Sequence, residues 1–296
     1  MLSFPLTRRR MLKAGAASLL LPALGSSGAL ASGPDNHLDL SQEEAQLSGG
    51  RIGLHLLERA TGKSFTHRGD ERFAICSTFK WLLAAMILAE NEQGKGALDD
   101  MVEIRRSELV SYSPVTGPLA GKGATVRQLC AAAVATSDNT AANLLLARLG
   151  GPGGYTRRLR SWGDETTRLD RWETALNENL PNDPRDTTTP RVMTENLGRI
   201  GFGDMLSGSS RGQLRDWMID AETGKNRLRA NVPAGWVAGD KTGTSGNGAV
   251  NDVGFFIPPT GSPIMLSVYV NAPDAPLQDI EAVIAGLTRR MLKPFV

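Results

Sequence analysis

The pattern of apolar and polar positions predicts β-strands near both ends of the chain. Residues 51–58 alternate as a half-buried strand does, and residues 64–67 are predicted to return beside them after a short turn. Further strands rich in Val, Ile, Phe and Tyr are predicted at 236–244, 250–257 and 263–270. Because short turns cannot connect parallel strands, we expect antiparallel pairing within each group.

Helical patterns occupy the middle of the chain and its carboxyl end. Residues 79–89 are almost all apolar apart from Lys80, which predicts a helix buried on every side. Residues 277–292 have the amphipathic pattern of a closing helix, and residues 41–44 have the sequence of a capping box. Between 94 and 235, Gly and Pro residues separate further helical segments.

Together these patterns predict an α+β fold in one domain at 32–296. We expect an antiparallel β-sheet flanked by the terminal helices, with an all-helical subdomain inserted and an active site in the seam. The sheet subdomain is predicted to comprise about 32–75 and 220–296, and the helical subdomain about 76–219.

The first 31 residues have the features of an export signal. Residues 7–13 (Thr-Arg-Arg-Arg-Met-Leu-Lys) resemble a twin-arginine motif, an apolar run follows at 14–24, and Ala29-Leu-Ala31 supplies small residues for cleavage. The run is far shorter than the ~20 residues that a membrane-spanning helix needs. We therefore expect cleavage after Ala31, a periplasmic mature protein and no membrane association of that mature form.

The composition argues against several classes of function. Hydrophobic residues make up 41% of the 296 residues and charged residues 22%, which is ordinary for a globular protein. A net charge of +2 gives no electrostatic basis for binding nucleic acid. His37, His55 and His67 lack the spacing of metal ligands, so neither a metal nor another cofactor is expected.

Three short strings carry the candidate chemistry. They are Ser77-Thr-Phe-Lys80, Ser137-Asp-Asn139 and Lys241-Thr-Gly243. A serine hydroxyl is a weak nucleophile and needs a base within reach, and residues three apart on a helix share one face. Taken alone, Lys80 could be a snorkelling side chain and the Ser-Asp-Asn string a helix cap. All three strings in this order are the signature of serine β-lactamases and penicillin-binding proteins.

A fourth segment, Arg171-Trp-Glu-Thr-Ala-Leu-Asn177, resembles the omega loop of class A β-lactamases. With it, the chain resembles that family from its mature amino end to its last helix. The resemblance implies the β-lactamase/transpeptidase-like fold, small β-lactam substrates and a monomer. It also implies that an Arg171–Asp186 ion pair closes the loop, taken here as residues 171–186.

The resemblance also assigns roles to individual residues. Ser77 would be the nucleophile, and either Lys80 or Glu173 through a water would take its proton. Ser137 would pass a proton to the leaving lactam nitrogen, Glu173 would activate the deacylating water, and Lys241 would supply positive charge. The backbone N–H groups of Ser77 and Thr244 would hold the oxyanion. The residues expected to bind substrate are Asn139, Asn177, Thr242, Gly243, Thr244, Arg227, Tyr112 and Ser245.

The chain departs from the family pattern at two places. Many relatives carry an arginine where this chain has Val250, and we expect Arg227, fourteen residues before Lys241, to bind the substrate carboxylate instead. The alternative is an ordinary surface arginine. Some relatives bridge the position of Cys76 to a cysteine where this chain has Ser245. The bridge is therefore expected to be absent, with Cys76 and Cys130 free and buried.

Three functions remain open at this point. The resemblance favours hydrolysis of penicillins and cephalosporins, with carbapenems the less supported extension, and hence antibiotic resistance. A D-alanyl-D-alanine carboxypeptidase or transpeptidase would share the three strings but lack the Glu173 loop. A non-hydrolytic penicillin sensor would acylate and stay acylated. Sustained turnover of a chromogenic cephalosporin separates the first function from the other two.

Overall fold

A computed structural model describes residues 35–296, so the predicted export signal at 1–31 lies outside the described residues. Strands β1 to β10 are Asn36–His37, Arg51–Glu58, Ser64–His67, Phe73–Ala74, Met101–Val102, Ala124–Thr125, Thr187–Thr188, Val237–Thr244, Ala249–Ile257 and Ile264–Asn271. Helices α1 to α8 are Ser41–Gln46, Phe79–Glu92, Val126–Ala131, Asn139–Arg148, Gly151–Ser161, Pro190–Gly201, Gly208–Ile219 and Leu277–Leu292. Within this range no helix combines the length and apolarity needed to cross a bilayer.

The main sheet has six strands in the order β1-β3-β2-β10-β9-β8. The predicted antiparallel pairing is confirmed for β2, β3, β8, β9 and β10. The edge strand β1, which the sequence analysis did not predict, pairs with β3 in parallel. Helix α1 and strand β2 lie between β1 and β3 in the chain, and a connection of that length permits parallel pairing.

Both faces of the central strands are buried, so the prediction of a half-buried strand at 51–58 is wrong. Leu54 and Leu56 of β2 belong to one apolar cluster with Ile280 and Ile284 of α8. Helix α6 packs against the opposite face, over β2 and β10. A Cβ atom at Gly53 would lie only 2.4 Å from the Phe73 ring, so the glycine permits this close packing.

Helix α1 begins at Ser41 as expected, but the predicted capping box does not form. Ser41 is the first helical residue, and the N-cap position is Leu40, which makes no capping hydrogen bond through its side chain. The carboxylate of Glu44 instead accepts hydrogen bonds from the backbone N–H of Ile52 and from Arg68. The Glu44 side chain therefore connects α1 to β2 and to the residue after β3 instead of capping its own helix.

Helix α2 is the centre of the helical region. Its residues from Phe79 to Ala89 are all buried, including Lys80, which confirms the predicted helix. It packs against α4, α7 and the π-helix Ala132–Thr136. The last helices before the carboxyl-terminal strands, α6 and α7, pack on the sheet, and the exact division into two subdomains stays a prediction.

Strand β8 lies directly against the turn that carries Ser77. A Cβ atom at Gly243 would lie 3.0 Å from Cys76 Cβ and 3.1 Å from both Ile75 O and Thr78 Cγ2. The glycine is needed because the strand and the turn approach each other so closely.

We predict that Gly243→Ala lowers the free energy of unfolding by roughly 1–3 kcal/mol, because the added methyl group overpacks this contact. Urea denaturation measures the loss. Gly246→Ala is the matched control, since a Cβ atom there meets nothing within 4 Å. Equal stability of the two variants would contradict the proposed reason for Gly243.

Candidate active site

Ser77 lies in the 3₁₀ turn Cys76–Thr78, immediately before α2, as the sequence predicted. The hydroxyl of Thr78 donates to Ile75 O at 2.6 Å, and the hydroxyl of Tyr269 lies 2.9 Å from Thr78 Oγ1. Because Thr78 uses its only proton on Ile75, Tyr269 donates to Thr78. The turn that presents Ser77 is thereby fixed to strand β10.

Lys80 is fully buried and surrounded by oxygen atoms. Its Nζ donates to Ser77 Oγ at 3.0 Å, to Ser137 O at 2.8 Å and to Asn139 Oδ1 at 2.6 Å, and it lies 3.0 Å from Glu173 Oε1. Burial lowers the pKa of Lys80, while the charge of Glu173 opposes that shift. The lysine can therefore exchange a proton with its neighbours more readily than an exposed one.

Glu173 reaches the nucleophile from the omega loop. Its side chain is fully shielded from solvent, with Oε1 3.4 Å from Ser77 Oγ. Its second oxygen, Oε2, accepts a hydrogen bond from Asn177 Nδ2 at 2.6 Å. The peptide bond from Glu173 to Thr174 is cis. The carboxylate is thus directed at Ser77 and close enough to act on it through one water molecule.

Two sets of contacts hold the omega loop in this position. Arg171 Nε donates to Asp186 Oδ2 at 2.6 Å, which is the expected ion pair. Asn143 of α4 accepts from Glu173 N at 3.0 Å and donates to Glu173 O at 2.9 Å. No motif indicated Asn143, although it lies one helical turn after Asn139 and so on the same face.

Ser137 stands between the two buried lysines. It follows the π-helix and has a left-handed backbone, with φ of 62°. Its Oγ accepts from Lys80 Nζ at 3.3 Å and from Lys241 Nζ at 3.1 Å. The next residue, Asp138, caps α4 and accepts a hydrogen bond from the Thr116 hydroxyl, so it ties the start of α4 to the segment around Thr116.

Lys241 is also fully buried, on strand β8. Burial, together with the positive charge of Lys80, lowers its pKa to about 7. This lysine therefore changes charge near neutral pH, and the hydroxyl of Ser137 connects it to the first lysine.

A cleft of about 350 Å³ opens in front of Ser77. It is lined by Ser77, Tyr112, Ser137, Asn139, Asn177, Thr223, Arg227, Thr242, Gly243 and Thr244. The set contains Thr223, which no motif indicated, and its hydroxyl lies 2.7 Å from that of Thr242. Tyr112 forms an exposed edge of the cleft, with 60% of its surface accessible.

Ser245, which the sequence suggested as a binding residue, does not line this cleft. Its hydroxyl accepts hydrogen bonds from the backbone N–H groups of Asn247 and Ala249, both at 3.1 Å. The side chain therefore belongs to the turn between β8 and β9.

The backbone of β8 offers a hydrogen-bond donor to the cleft. This strand is the edge of the sheet, and Ser245 N donates across to Ala249 O. Because hydrogen-bonded pairs alternate along an antiparallel ladder, the N–H of Thr244 points away from β9 toward the open edge. This N–H is therefore not used within the sheet, and Thr244 lines the cleft together with Ser77.

Arg227 is 4% exposed, which excludes the alternative of a surface arginine. Its Nη2 donates to Thr244 Oγ1 at 2.9 Å, and its Nη1 donates to Gly243 O at 3.1 Å. Glu281 of α8 pairs with its Nε at 3.1 Å. The guanidinium therefore lies beside strand β8 at the edge of the cleft, whereas Val250 on β9 carries no charge.

Both cysteine thiols are free and buried, as expected. Burial raises the pKa of the Cys76 thiol to about 12, so it stays protonated beside the nucleophile. In the part of the chain that the structure describes, no group of three or more His, Cys, Asp or Glu side chains is arranged to hold a metal ion.

The arrangement as a whole can transfer an acyl group to water. It combines a nucleophile with adjacent proton acceptors, a free backbone N–H and one carboxylate, Glu173, that can activate water.

Comparison with known proteins agrees with this chemistry. Residues 39–295 match the model of the β-lactamase enzyme family. The β-lactamase L2 of Stenotrophomonas maltophilia is 44% identical over 96% of this chain and 97% of its own length. The carbapenem-hydrolysing β-lactamase KPC of Klebsiella oxytoca is 46% identical over 83% of this chain and 84% of its own length.

A solved structure, the ancestral (GNCA) class A β-lactamase, has the same fold. It superimposes with a TM-score of 0.83 and 51% identity, covering 87% of this chain and all of its own. The chain therefore belongs to the β-lactamase enzyme family and is a class A β-lactamase, an enzyme that hydrolyses β-lactam antibiotics.

Proposed function

We propose that this enzyme opens penicillins and cephalosporins through an ester on Ser77, which Glu173 then hydrolyses. The observation that carries the proposal is the position of the Glu173 carboxylate. One oxygen lies 3.4 Å from Ser77 Oγ and the other is held at 2.6 Å by Asn177. A water molecule bound beside these groups is within hydrogen-bond reach of Ser77 Oγ, of the Glu173 carboxylate and of the Asn177 amide.

Acylation begins when Ser77 Oγ attacks the lactam carbonyl carbon. Lys80 Nζ and Glu173 Oε1 both lie within reach of Ser77 Oγ, so the two act as one proton-sharing unit that removes its proton. The backbone N–H groups of Ser77 and Thr244 stabilise the oxyanion, each contributing roughly 3 kcal/mol. The carbon–nitrogen bond breaks, and Ser137 delivers its proton to the leaving nitrogen. Ser137 then recovers a proton from Lys80, whose Nζ lies 3.3 Å from Ser137 Oγ, so the proton taken from Ser77 ends on the nitrogen and Glu173 is again a carboxylate.

In deacylation Ser77 gains a proton, whereas in acylation it loses one. Glu173 takes a proton from water, and the resulting hydroxide attacks the ester carbon while Asn177 orients it. The bond between the carbonyl carbon and Ser77 Oγ breaks, and Ser77 regains the proton that Glu173 took from water, since Oε1 lies 3.4 Å from Ser77 Oγ. The product is an open-ring acid, and the enzyme returns to its starting state.

The substrate carboxylate binds at the β8 side of the cleft. Lys241 and Arg227 supply positive charge, and the hydroxyls of Thr242 and Thr244 donate hydrogen bonds. Arg227 lies on Thr244 Oγ1 at 2.9 Å, so it acts at least partly by orienting that hydroxyl. This position supports Arg227 as the residue that replaces the arginine missing at Val250.

The opposite wall binds the rest of the substrate. Asn139 receives the side-chain amide, and the exposed ring of Tyr112 packs on its apolar part. Ser245 is left out of this binding set because its hydroxyl is used within its own turn. The named activity of the KPC relative supports carbapenems as a further substrate class, less strongly than the other two.

The proposal for the cell compartment rests on the sequence. Residues 1–31 act as a cleaved twin-arginine signal, and the mature chain works as a periplasmic monomer. Antibiotics that enter the periplasm would be destroyed before they reach their targets, which confers resistance.

We predict that Glu173→Gln converts steady turnover into a single stoichiometric burst. Loss of the general base slows deacylation by about 10²–10⁴-fold, so the ester on Ser77 accumulates. Stopped-flow absorbance follows the burst, and mass spectrometry finds a protein mass increased by one intact substrate. Glu165→Gln, at a carboxylate with 77% of its side chain exposed, is the control. Parental turnover in Glu173→Gln would contradict the mechanism.

We predict that Arg227→Ala reduces kcat/KM by about 10- to 100-fold for substrates that carry the carboxylate. The loss disappears for the methyl esters of the same substrates, because the missing interaction is with the carboxylate. Arg227→Lys separates loss of charge from loss of packing. Equal losses for the acid and the ester would rule out a carboxylate role.

We predict that kcat/KM for carboxylate substrates decreases as the pH rises through about 7, the pKa to which Lys241 is lowered. Below this pH the lysine is charged and attracts the carboxylate, and above it the charge is lost. Lys241→Arg stays charged, so its rate profile lacks this alkaline decrease. The measurement is the pH profile of both proteins. An identical decrease in both would assign it to another group.

A further inference from the structure

The β8 side of the cleft is contacted by a threonine that no motif indicated, Thr223. Its Oγ1 lies 2.7 Å from Oγ1 of Thr242, and both residues line the cleft. Thr242 and Thr244 are two apart on β8, so they lie on one face of the strand, and both are in the proposed binding set for the substrate carboxylate. Thr223 therefore contacts a proposed substrate-binding hydroxyl without belonging to that strand.

The two threonines of β8 each have a single hydroxyl proton, so each can bind a carboxylate only if it accepts its other hydrogen bonds. Thr244 meets this condition, because Arg227 Nη2 donates to its Oγ1 at 2.9 Å and a guanidinium cannot accept. Thr242 has a different partner, the hydroxyl of Thr223, which can either donate or accept. The direction of this one hydrogen bond therefore decides whether Thr242 has a proton for the substrate.

A bound substrate carboxylate fixes that direction, because an ionised carboxylate accepts hydrogen bonds and donates none. Once the proton of Thr242 is directed at the carboxylate, the contact at 2.7 Å persists as a hydrogen bond only if Thr223 supplies the proton. We infer that Thr223 is a positioning residue: it donates to Thr242 and thereby holds the Thr242 proton toward the substrate carboxylate. Both hydroxyls are then polarised in the same direction, which strengthens both hydrogen bonds.

The backbone on both sides of Thr223 is fixed by contacts with other elements. Glu222 N donates to Ala135 O of the π-helix at 2.9 Å. Gly224 lies so close to Asp240 of β8 that an added Cβ atom would be 1.6 Å from Oδ2. The hydroxyl of Thr223 is therefore held in place by the fold, and little conformational entropy is lost when substrate binds.

The test compares substrates that carry the carboxylate with their methyl esters, which keep the lactam ring but lose the charge. We expect Thr223→Val to lower kcat/KM about three- to tenfold for the acids and less than about twofold for the esters, since hydrogen bonds to charged groups are the stronger ones. Thr223→Ser keeps the hydroxyl and should restore the parental acid-to-ester ratio. Thr223→Ala removes the hydroxyl without a branched side chain and should repeat the result of Thr223→Val.

A double-mutant cycle separates this inference from the proposed function on which it rests. Thr242→Val alone should lower the acid-to-ester ratio of kcat/KM, which tests the contact between Thr242 and the carboxylate. Adding Thr223→Val to that variant should not lower the ratio further, because Thr223 acts through Thr242.

The control is Thr167→Val, which breaks a hydroxyl pair of the same kind outside the cleft. The Oγ1 atoms of Thr167 and Thr188 are 2.8 Å apart, and neither residue lines the cleft. Loss of this pair should leave the acid-to-ester ratio at the parental value, and urea denaturation measures its effect on stability.

Several results would overturn the inference. Equal losses for acid and ester in Thr223→Val, or a ratio that Thr223→Ser does not restore, would assign Thr223 a merely structural role. If Thr242 instead spends its proton on Thr223, Thr223→Val would free that proton and raise kcat/KM for the acids. A further decrease in the double variant would show that Thr223 acts without Thr242.

Failure of the proposed function would be recognised separately. A parental acid-to-ester ratio in Thr242→Val would remove the proposed contact with the carboxylate, and the inference about Thr223 with it. Sustained turnover by that variant would still support the Ser77 mechanism.

Discussion

The ion pair between Lys80 and Glu173 is the interaction on which the rest of the site depends. Nζ and Oε1 are 3.0 Å apart, and both side chains are fully removed from solvent. Removing one partner of such a pair would leave an unpaired buried charge, which costs several kcal/mol. Burying the lysine charge is also costly, and hydrogen bonds to oxygens of Ser77, Ser137 and Asn139 offset that cost.

This pair explains why distant parts of the chain must converge. Helix α2 is buried all round, so it fixes Lys80 and the adjacent Ser77. The omega loop must bring Glu173 to the same point, and Asn143 of α4 clamps its backbone. The edge strand β8 adds Lys241 and a free N–H, and Gly243 lets it approach the Ser77 turn. One desolvated charge pair therefore organises contributions from the sheet, the helices and the loop.

Most of the fold could be predicted because its signals are local. The strand Val237–Thr244 and the helix Leu277–Leu292 begin within one residue of their predicted positions. The residues of the three short motifs and of the omega loop also come together around Ser77, as the chemistry that the motifs indicate requires. The missed features depend on contacts between distant residues. The parallel strand β1, the use of Glu44 for tertiary contacts and the reason for Gly243 all belong to this class.

Thr223 and Ser245 show that sequence patterns also fail to predict some side-chain contacts within the site. Thr223 follows α7 outside any motif, and only the folded chain places its hydroxyl beside Thr242. Ser245 immediately follows Thr244 in sequence, but the turn captures its hydroxyl. Proximity in the sequence therefore indicates which backbone segment forms a wall of the cleft. It does not decide which side chains of that segment face the substrate.

The most direct test of the central claim is a high-resolution crystal structure of the penicillin acyl-enzyme of Glu173→Gln. We predict that the side chain of residue 173 stays buried beside the ester. One ordered water should lie within hydrogen-bond distance of this side chain and of Asn177, facing the ester carbon. A side chain at 173 that turns into solvent, too far from the ester for a single bridging water, would contradict the account.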